Sequence, residues 1–104
     1  MIAIAATVRP LDSIQVLHLL EQRLRRNFRG ARAFADSLMI PMPGVGLVLV
    51  TEQFAQMRLE FVAADEDSAT PAMVALEEQI REQAQHQPMS FRWEHPSSVP
   101  VAFQ

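Results

Sequence analysis

The spacing of apolar residues predicts a strand and then a helix near the start of the chain. Residues Ile2–Val8 alternate loosely and end at Arg9, which indicates a strand. Asp12 is expected to cap the helix, with Gln15 completing a pair like a capping box. Gly30 is expected to end the helix, because glycine readily adopts left-handed backbone. Between these signals, apolar residues recur at helical spacing: Ile14, Leu17, Leu20, Leu24 and Phe28.

The middle of the chain lacks a helical period and predicts short strands. Polar or turn-forming residues separate them, and the expected strands are Ala31–Ala35, Leu38–Met42, Val45–Thr51 and Met57–Ala63. Pro41 indicates a sheet edge or a bulge in its strand, since proline cannot donate to the hydrogen-bond ladder. The last of these strands alternates between polar and apolar residues, so one of its faces is expected to be wet and the other dry.

A second helix and a final strand complete the pattern. Asp67 or Thr70 is expected to cap the helix, and Pro71 falls early, where proline is tolerated. Its apolar stripe is Ala72, Met73, Leu76, Ile80 and Ala84. Residues 89–94 alternate strictly, which predicts a strand. The order is β-α-β-β-β-β-α-β, and it predicts an α+β fold with an antiparallel sheet of about six strands and two helices packed on one face. Residues 1–95 are expected to form one domain, followed by an apolar tail at residues 96–104.

Several residues occupy similar places in a known family. Thr7 closes the first strand, Leu24 and Phe28 lie late in the first helix, residues 57–61 precede an acidic turn, and Trp93 lies in the last strand. With the element order, these features resemble a family of short bacterial domains called domain of unknown function 2218. The resemblance covers residues 2 to about 95 and implies a shared fold.

The same resemblance implies little about function. Members of the family sometimes occur attached to siderophore-interacting proteins, which implies a link to iron uptake. The family typically has a cysteine and a histidine where this chain has Arg25 and Asn27, so no site residue is carried over.

Composition narrows the class of protein. The chain has 104 residues, 49% of them hydrophobic and 20% charged, with a formal net charge of −3 and no cysteine. Without cysteine there is no disulfide framework, thiolate metal site or thiol nucleophile, which fits a cytoplasmic protein. No apolar run approaches the roughly 20 residues of a membrane span, and residues 1–8 lack the positive start of a signal peptide. All nine cations are arginine, which is typical of a GC-rich bacterial genome.

The densest chemistry is a group of arginines around the end of the first helix. Five lie within ten residues: Arg23, Arg25, Arg26, Arg29 and Arg32. Arginine suits bidentate capture of phosphate or carboxylate, so Arg25, Arg26 and Arg29 are candidate anion ligands. A solvated helix face explains the same group, because Glu21 can pair with Arg25 and cations stabilise a helix C-terminus.

A contact surface is the other hypothesis for this helix. Val16 and Leu19 are expected beside Arg23 and Arg26 on the outward side, an apolar strip bordered by arginine, which is enriched at protein interfaces. The tail offers a further apolar contact through Val99, Val101 and Phe103. The second helix presents acids outward, so the two helices could complement each other within a monomer or across a dimer.

Other chemistries find little support in the sequence. The pI near 5.5 argues against nucleic-acid binding. His18, His86 and His95 lack metal-ligand spacing, and no nucleophile–base motif is present. We therefore predict no catalytic residue, metal or cofactor. The favoured hypothesis is a non-enzymatic interaction module acting as a homodimer, and binding of a further protein partner is kept as an open alternative. The alternatives are an accessory protein that binds an anionic ligand or a ferric siderophore through Arg25, Arg26 and Arg29, and a nucleic-acid binder.

Overall fold

The computed structural model describes residues 1–29, 31–34, 37–100 and 103, and only the backbone for residues 31–34. Its elements are β1 (Ile2–Pro10), α1 (Gln15–Asn27), β2 (Ala31–Phe34), β3 (Ser37–Met42), β4 (Gly46–Gln53), β5 (Gln56–Ala63), α2 (Glu66–Gln83) and β6 (Met89–Glu94). The predicted α+β class, with two helices and a single antiparallel sheet, is confirmed.

The sheet places the first strand between two late ones. The strands lie in the order β2-β3-β4-β5-β1-β6, and every neighbouring pair is antiparallel. Because β1 has a partner on both sides, its residues 3–8 are all buried. β6 has one partner and forms an edge of the sheet. By strand order β3 is interior, yet Pro41 lies beyond its last pairing with β2, Ala31↔Met39, so its missing N–H breaks no ladder there.

Both helices cover the same face of the sheet. They contribute to one apolar core, the helices through Leu17, Leu20, Leu24, Ala69, Ala72, Leu76, Ile80 and Ala84. The sheet contributes alternate residues of β1, β3, β4 and β5, among them Ile4, Ile40, Val48, Leu59 and Phe61. Near their C-terminal ends the helices also touch, where the guanidinium of Arg23 donates to the carbonyl oxygen of Gln83 at 2.9 Å. Within the part of the chain that the structure describes, no helix lies on the opposite face of the sheet.

The predicted cap of α1 was wrong. The helix begins at Gln15, whose backbone N–H donates to Ser13 Oγ at 3.2 Å, and Asp12 does not cap it. Ser13 lies closer to the first turn than Asp12, and the intervening Ile14 is already helical. Gly30, the expected terminator, lies outside the described residues. The helix ends at Asn27, and Arg29 has a left-handed φ of 53°.

The predicted cap of α2 was also wrong. Asp65 is the cap, and its carboxylate accepts from the backbone N–H of Ser68 at 2.8 Å. Its backbone is extended (φ −157°, ψ 179°), as an N-cap requires, so the helix starts before Asp67 and Thr70. The run of acids offered several capping residues, and only backbone geometry selects among them.

A glycine turn fits closely under α2. Gly44, between β3 and β4, has φ of 79°, and a Cβ added there would lie 3.0 Å from the Cβ of Ala75. Glycine is therefore required by both backbone and space at this position.

Candidate functional site

The α1 arginines that were predicted to bind an anion lie in different local settings. Arg25 is held by Glu21, with 2.6 Å between Nη2 and Oε1. Arg26 follows it directly, and successive helical residues point about 100° apart. Arg29 lies beyond the end of the helix. Anion binding by Arg25, Arg26 and Arg29 stays a prediction, and the side chain of Arg32 lies outside the described part.

The predicted α1 strip is smaller than its helical wheel suggests. Leu19 is 49% exposed and Arg26 is exposed, as expected. Val16, however, packs against the core, and Arg23 is half-buried through its bond to α2. A wheel places residues around one helix axis and cannot show the neighbouring helix. Of the four residues predicted to form this strip, Leu19 and Arg26 are the two that are exposed.

The tail lies beside the start of β1. Residues 95–99 line a shallow cleft with residues 1–3 and Glu66. Val99 and Phe103 are half-buried within this chain, while Val101 lies outside the described residues.

The histidines are dispersed. His18 Nε2 lies 3.2 Å from Gln22 Nε2, and His95 Nε2 lies 4.0 Å from Glu66 Oε2. The described residues contain no group of three or more His, Asp or Glu side chains placed to hold a metal ion.

The open face of the sheet brings together three arginines that the sequence analysis did not connect. Thr7 on β1 faces Arg58 on β5 and Arg92 on β6. Two residues further along β1, Arg9 faces Ser90, and Arg9 Nε donates to Gln56 Oε1 at 3.0 Å. Facing residues of antiparallel strands lie about 5 Å apart, so these side chains form one surface. They line a cleft of about 280 Å³, which we call the arginine cleft: Thr7, Arg9, Gln56, Arg58, Ser90, Arg92 and Glu94.

Small residues of β1 form the floor beneath these side chains. Ala5, between Glu60 and Glu94, is fully buried, and Thr7 is 8% exposed although no helix covers this face. Long side chains on both flanking strands can therefore reach across β1. Arg58 does so, because its Nη1 lies 3.3 Å from Glu94 Oε1 on β6, two strands away.

The charges of the arginine cleft are unevenly paired. Arg58 holds both nearby carboxylates, with its Nε 3.5 Å from Glu60 Oε1 as well as the contact to Glu94. Arg92, by contrast, makes no hydrogen bond or ion pair with any residue that the structure describes. Arg9 makes its hydrogen bond to Gln56 through Nε. In the sequence, each of these arginines occupies a polar position in an alternating strand, which weakly predicts that it lies on the open face. Strand order and register, which bring the three together, could not be predicted from it.

An apolar groove lies between α2 and β6. It has a volume of about 340 Å³ and is lined by Thr70, Met73, Val74, Glu77, Glu78 and Trp93. Val74 is 54% exposed, and Trp93 stacks with Phe91 at 6.3 Å between ring centroids. Arg81 covers the other end of this aromatic pair, 4.7 Å from the centre of the Phe91 ring. The groove therefore exposes apolar and aromatic surface between acidic side chains.

The tip of the β4–β5 hairpin carries another exposed aromatic. Phe54 is 93% exposed in the connection between Gln53 and Gln56, and Ala55 beside it has a left-handed φ of 61°. A shallow depression joins this tip to Ile14 and His18 at the start of α1. Its lining lacks the convergent charges of the arginine cleft.

No family model matches the chain, and no curated protein matches it in sequence. The resemblance to domain of unknown function 2218, and the iron-uptake link it implies, stay predictions. Among the described residues, neither helix combines the length and the apolar character that crossing a bilayer requires.

Proposed function

We propose that this protein is a non-enzymatic interaction module that acts as a homodimer through its helical layer. The observation that carries the proposal is the apolar groove with its half-exposed Trp93 and 54%-exposed Val74. Aromatic residues and methionine are enriched in the centres of protein interfaces. A cytoplasmic location in a bacterium belongs to the same proposal and rests on composition alone.

A second copy of the chain suits this groove because the outward sides of the two helices have opposite charge. The exposed side of α1 carries Leu19 and Arg26, and that of α2 carries Val74, Glu78 and Glu82. A two-fold axis that places α1 of one copy on α2 of the other repeats the contact twice. Each contact then joins Leu19 to the groove and sets a basic surface against an acidic one.

Sedimentation velocity over a range of concentrations tests this arrangement. Val74→Glu places a carboxylate at the centre of the interface and should weaken dimerisation by at least about tenfold. Leu19→Glu should do the same from the other helix. Leu47→Glu is the matched control, because Leu47 is also 54% exposed but lies on the open face of the sheet.

The controls separate the possible outcomes. The proposal predicts dimers for wild type and Leu47→Glu, and monomers for the two helix variants. A wild-type protein that stays monomeric would overturn it. Dimers that resist Val74→Glu but not Leu47→Glu would move the interface to the sheet face and contradict the helical layer.

A charge exchange tests the electrostatic part. Arg26→Glu should weaken the dimer by repelling the acidic side of α2, and adding Glu78→Arg or Glu82→Arg should restore it. If neither double variant recovers dimerisation, the proposed contact between these helix faces is wrong.

A further inference from the structure

We propose that the arginine cleft binds a phosphate group, inorganic or at the end of a small phosphomonoester. This site is separate from the helical interface, because it lies on the opposite face of the sheet. Its lining holds three arginines and one glutamate, a balance of +2, in a chain whose formal net charge is −3. The cleft is thus positively charged, whereas the whole chain is negatively charged.

The pairing inside the cleft leaves cationic groups available. Arg58 takes both carboxylates, Glu60 and Glu94. Arg92 has no hydrogen-bond or ion-pair partner among the described residues, and the hydrogen bond of Arg9 to Gln56 is made by Nε rather than by a terminal nitrogen. Arg9 faces Ser90, two residues from Arg92 on the adjacent strand, and both arginines line the same cleft.

Hydroxyl groups and a rigid support complete the site. Thr7 and Ser90 line the cleft between the arginines and supply donors that suit a phosphate oxygen. All the lining residues lie on the paired strands β1, β5 and β6. Strands position a site more firmly than loops do.

Size and charge favour phosphate over other anions. The cleft of about 280 Å³ has room for one small anion. Arg9 and Arg92 form no ion pair with a described carboxylate, so a phosphate dianion matches their two charges, whereas a carboxylate neutralises one of them. Two guanidinium forks can each bind two phosphate oxygens.

Titration with inorganic phosphate, followed by amide NMR shifts at constant ionic strength, tests the site. Saturable shifts should centre on the backbone amides of Thr7, Arg9, Ser90 and Arg92. Arg92→Gln should weaken binding by about tenfold or more, and Arg92→Lys, which keeps the charge but loses the fork, should weaken it less. Arg29→Gln is the matched control, because it removes the same charge from an exposed side chain outside both the cleft and the proposed dimer contact.

Further probes identify the ligand class. Phenyl phosphate binding more tightly than inorganic phosphate would indicate a phosphomonoester, and the reverse would indicate the free ion. Acetate binding as tightly as phosphate would overturn the preference for phosphate.

Three results would contradict the site itself: no saturable shift, shifts centred on the arginines at the end of α1, or equal weakening by Arg92→Gln and Arg29→Gln. The oligomeric state of Arg92→Gln should match that of wild type. A negative result for phosphate binding can therefore be told apart from a negative result for dimerisation.

Discussion

Adjacent leucines of α1 provide a sharp test of how this helix is oriented. Leu20 is fully buried in the core, whereas Leu19 is 49% exposed. The same substitution to alanine at both positions removes the same atoms and leaves helix propensity nearly unchanged. The difference in stability between the two variants therefore reports burial alone.

The structure sets the magnitude. Truncating a fully buried leucine to alanine costs about 2–5 kcal/mol, which includes the cavity that remains. A domain of this size has a total stability of roughly 5–15 kcal/mol, at about 0.05–0.15 kcal/mol per residue. Leu20→Ala should thus remove a large fraction of the stability, and Leu19→Ala should remove less than about 1 kcal/mol, since surface changes are small.

Urea unfolding followed by circular dichroism measures both free energies of unfolding. The midpoint should fall strongly for Leu20→Ala, with an unchanged m-value for both variants. Measurements at low protein concentration keep any dimer out of the comparison. Equal losses at Leu19 and Leu20, or a loss below about 1 kcal/mol at Leu20, would refute the orientation of α1.

Two further predictions concern local geometry. The pKa of Asp65 lies below its ordinary value, mainly because the backbone N–H of Ser68 donates to the carboxylate and then because the Ser68 hydroxyl does. Its contribution to stability should therefore be complete above the pKa of an unperturbed aspartate, about 3.9, and be lost as pH falls through the lowered value. Acid unfolding profiles should show this dependence in wild type and not in Asp65→Asn; identical profiles would contradict it. Gly44→Ala should cost more than about 1 kcal/mol, because it combines left-handed backbone with the 3.0 Å approach to Ala75. Gly46→Ala, where nothing lies within 4 Å of the added carbon, should cost less in thermal unfolding, and equal costs would exclude the contact as a cause.

The sequence predicted the elements well where local periodicity is strong. Residues 89–94 alternate strictly and form β6, and the apolar stripes of both helices pack on the core except at Ile14, which precedes α1 and is 58% exposed. The residues that cap the helices were harder to predict. Several side chains near each start can cap, and the choice depends on backbone geometry, as Ser13 and Asp65 show.

The candidate sites show the same limit at longer range. The α1 arginines were conspicuous because they are close in sequence, although Arg25 and Arg26 point about 100° apart on the helix and Arg29 lies beyond its end. Arg9, Arg58 and Arg92 are far apart in sequence and meet only because β1 lies between β5 and β6 in a fixed register. The contact of Arg23 with Gln83 likewise follows from how the two helices pack.

The fluorescence of Trp93 on dilution tests the proposed dimer most directly. Trp93 is the chain's single tryptophan and lines the groove at the proposed interface. The account predicts that its emission shifts to the red on dilution of wild type and Leu47→Glu, as dissociation exposes the ring. Val74→Glu should show the red-shifted emission at every concentration. Emission of wild type that does not change over a range in which sedimentation shows dissociation would place the interface elsewhere and contradict the account.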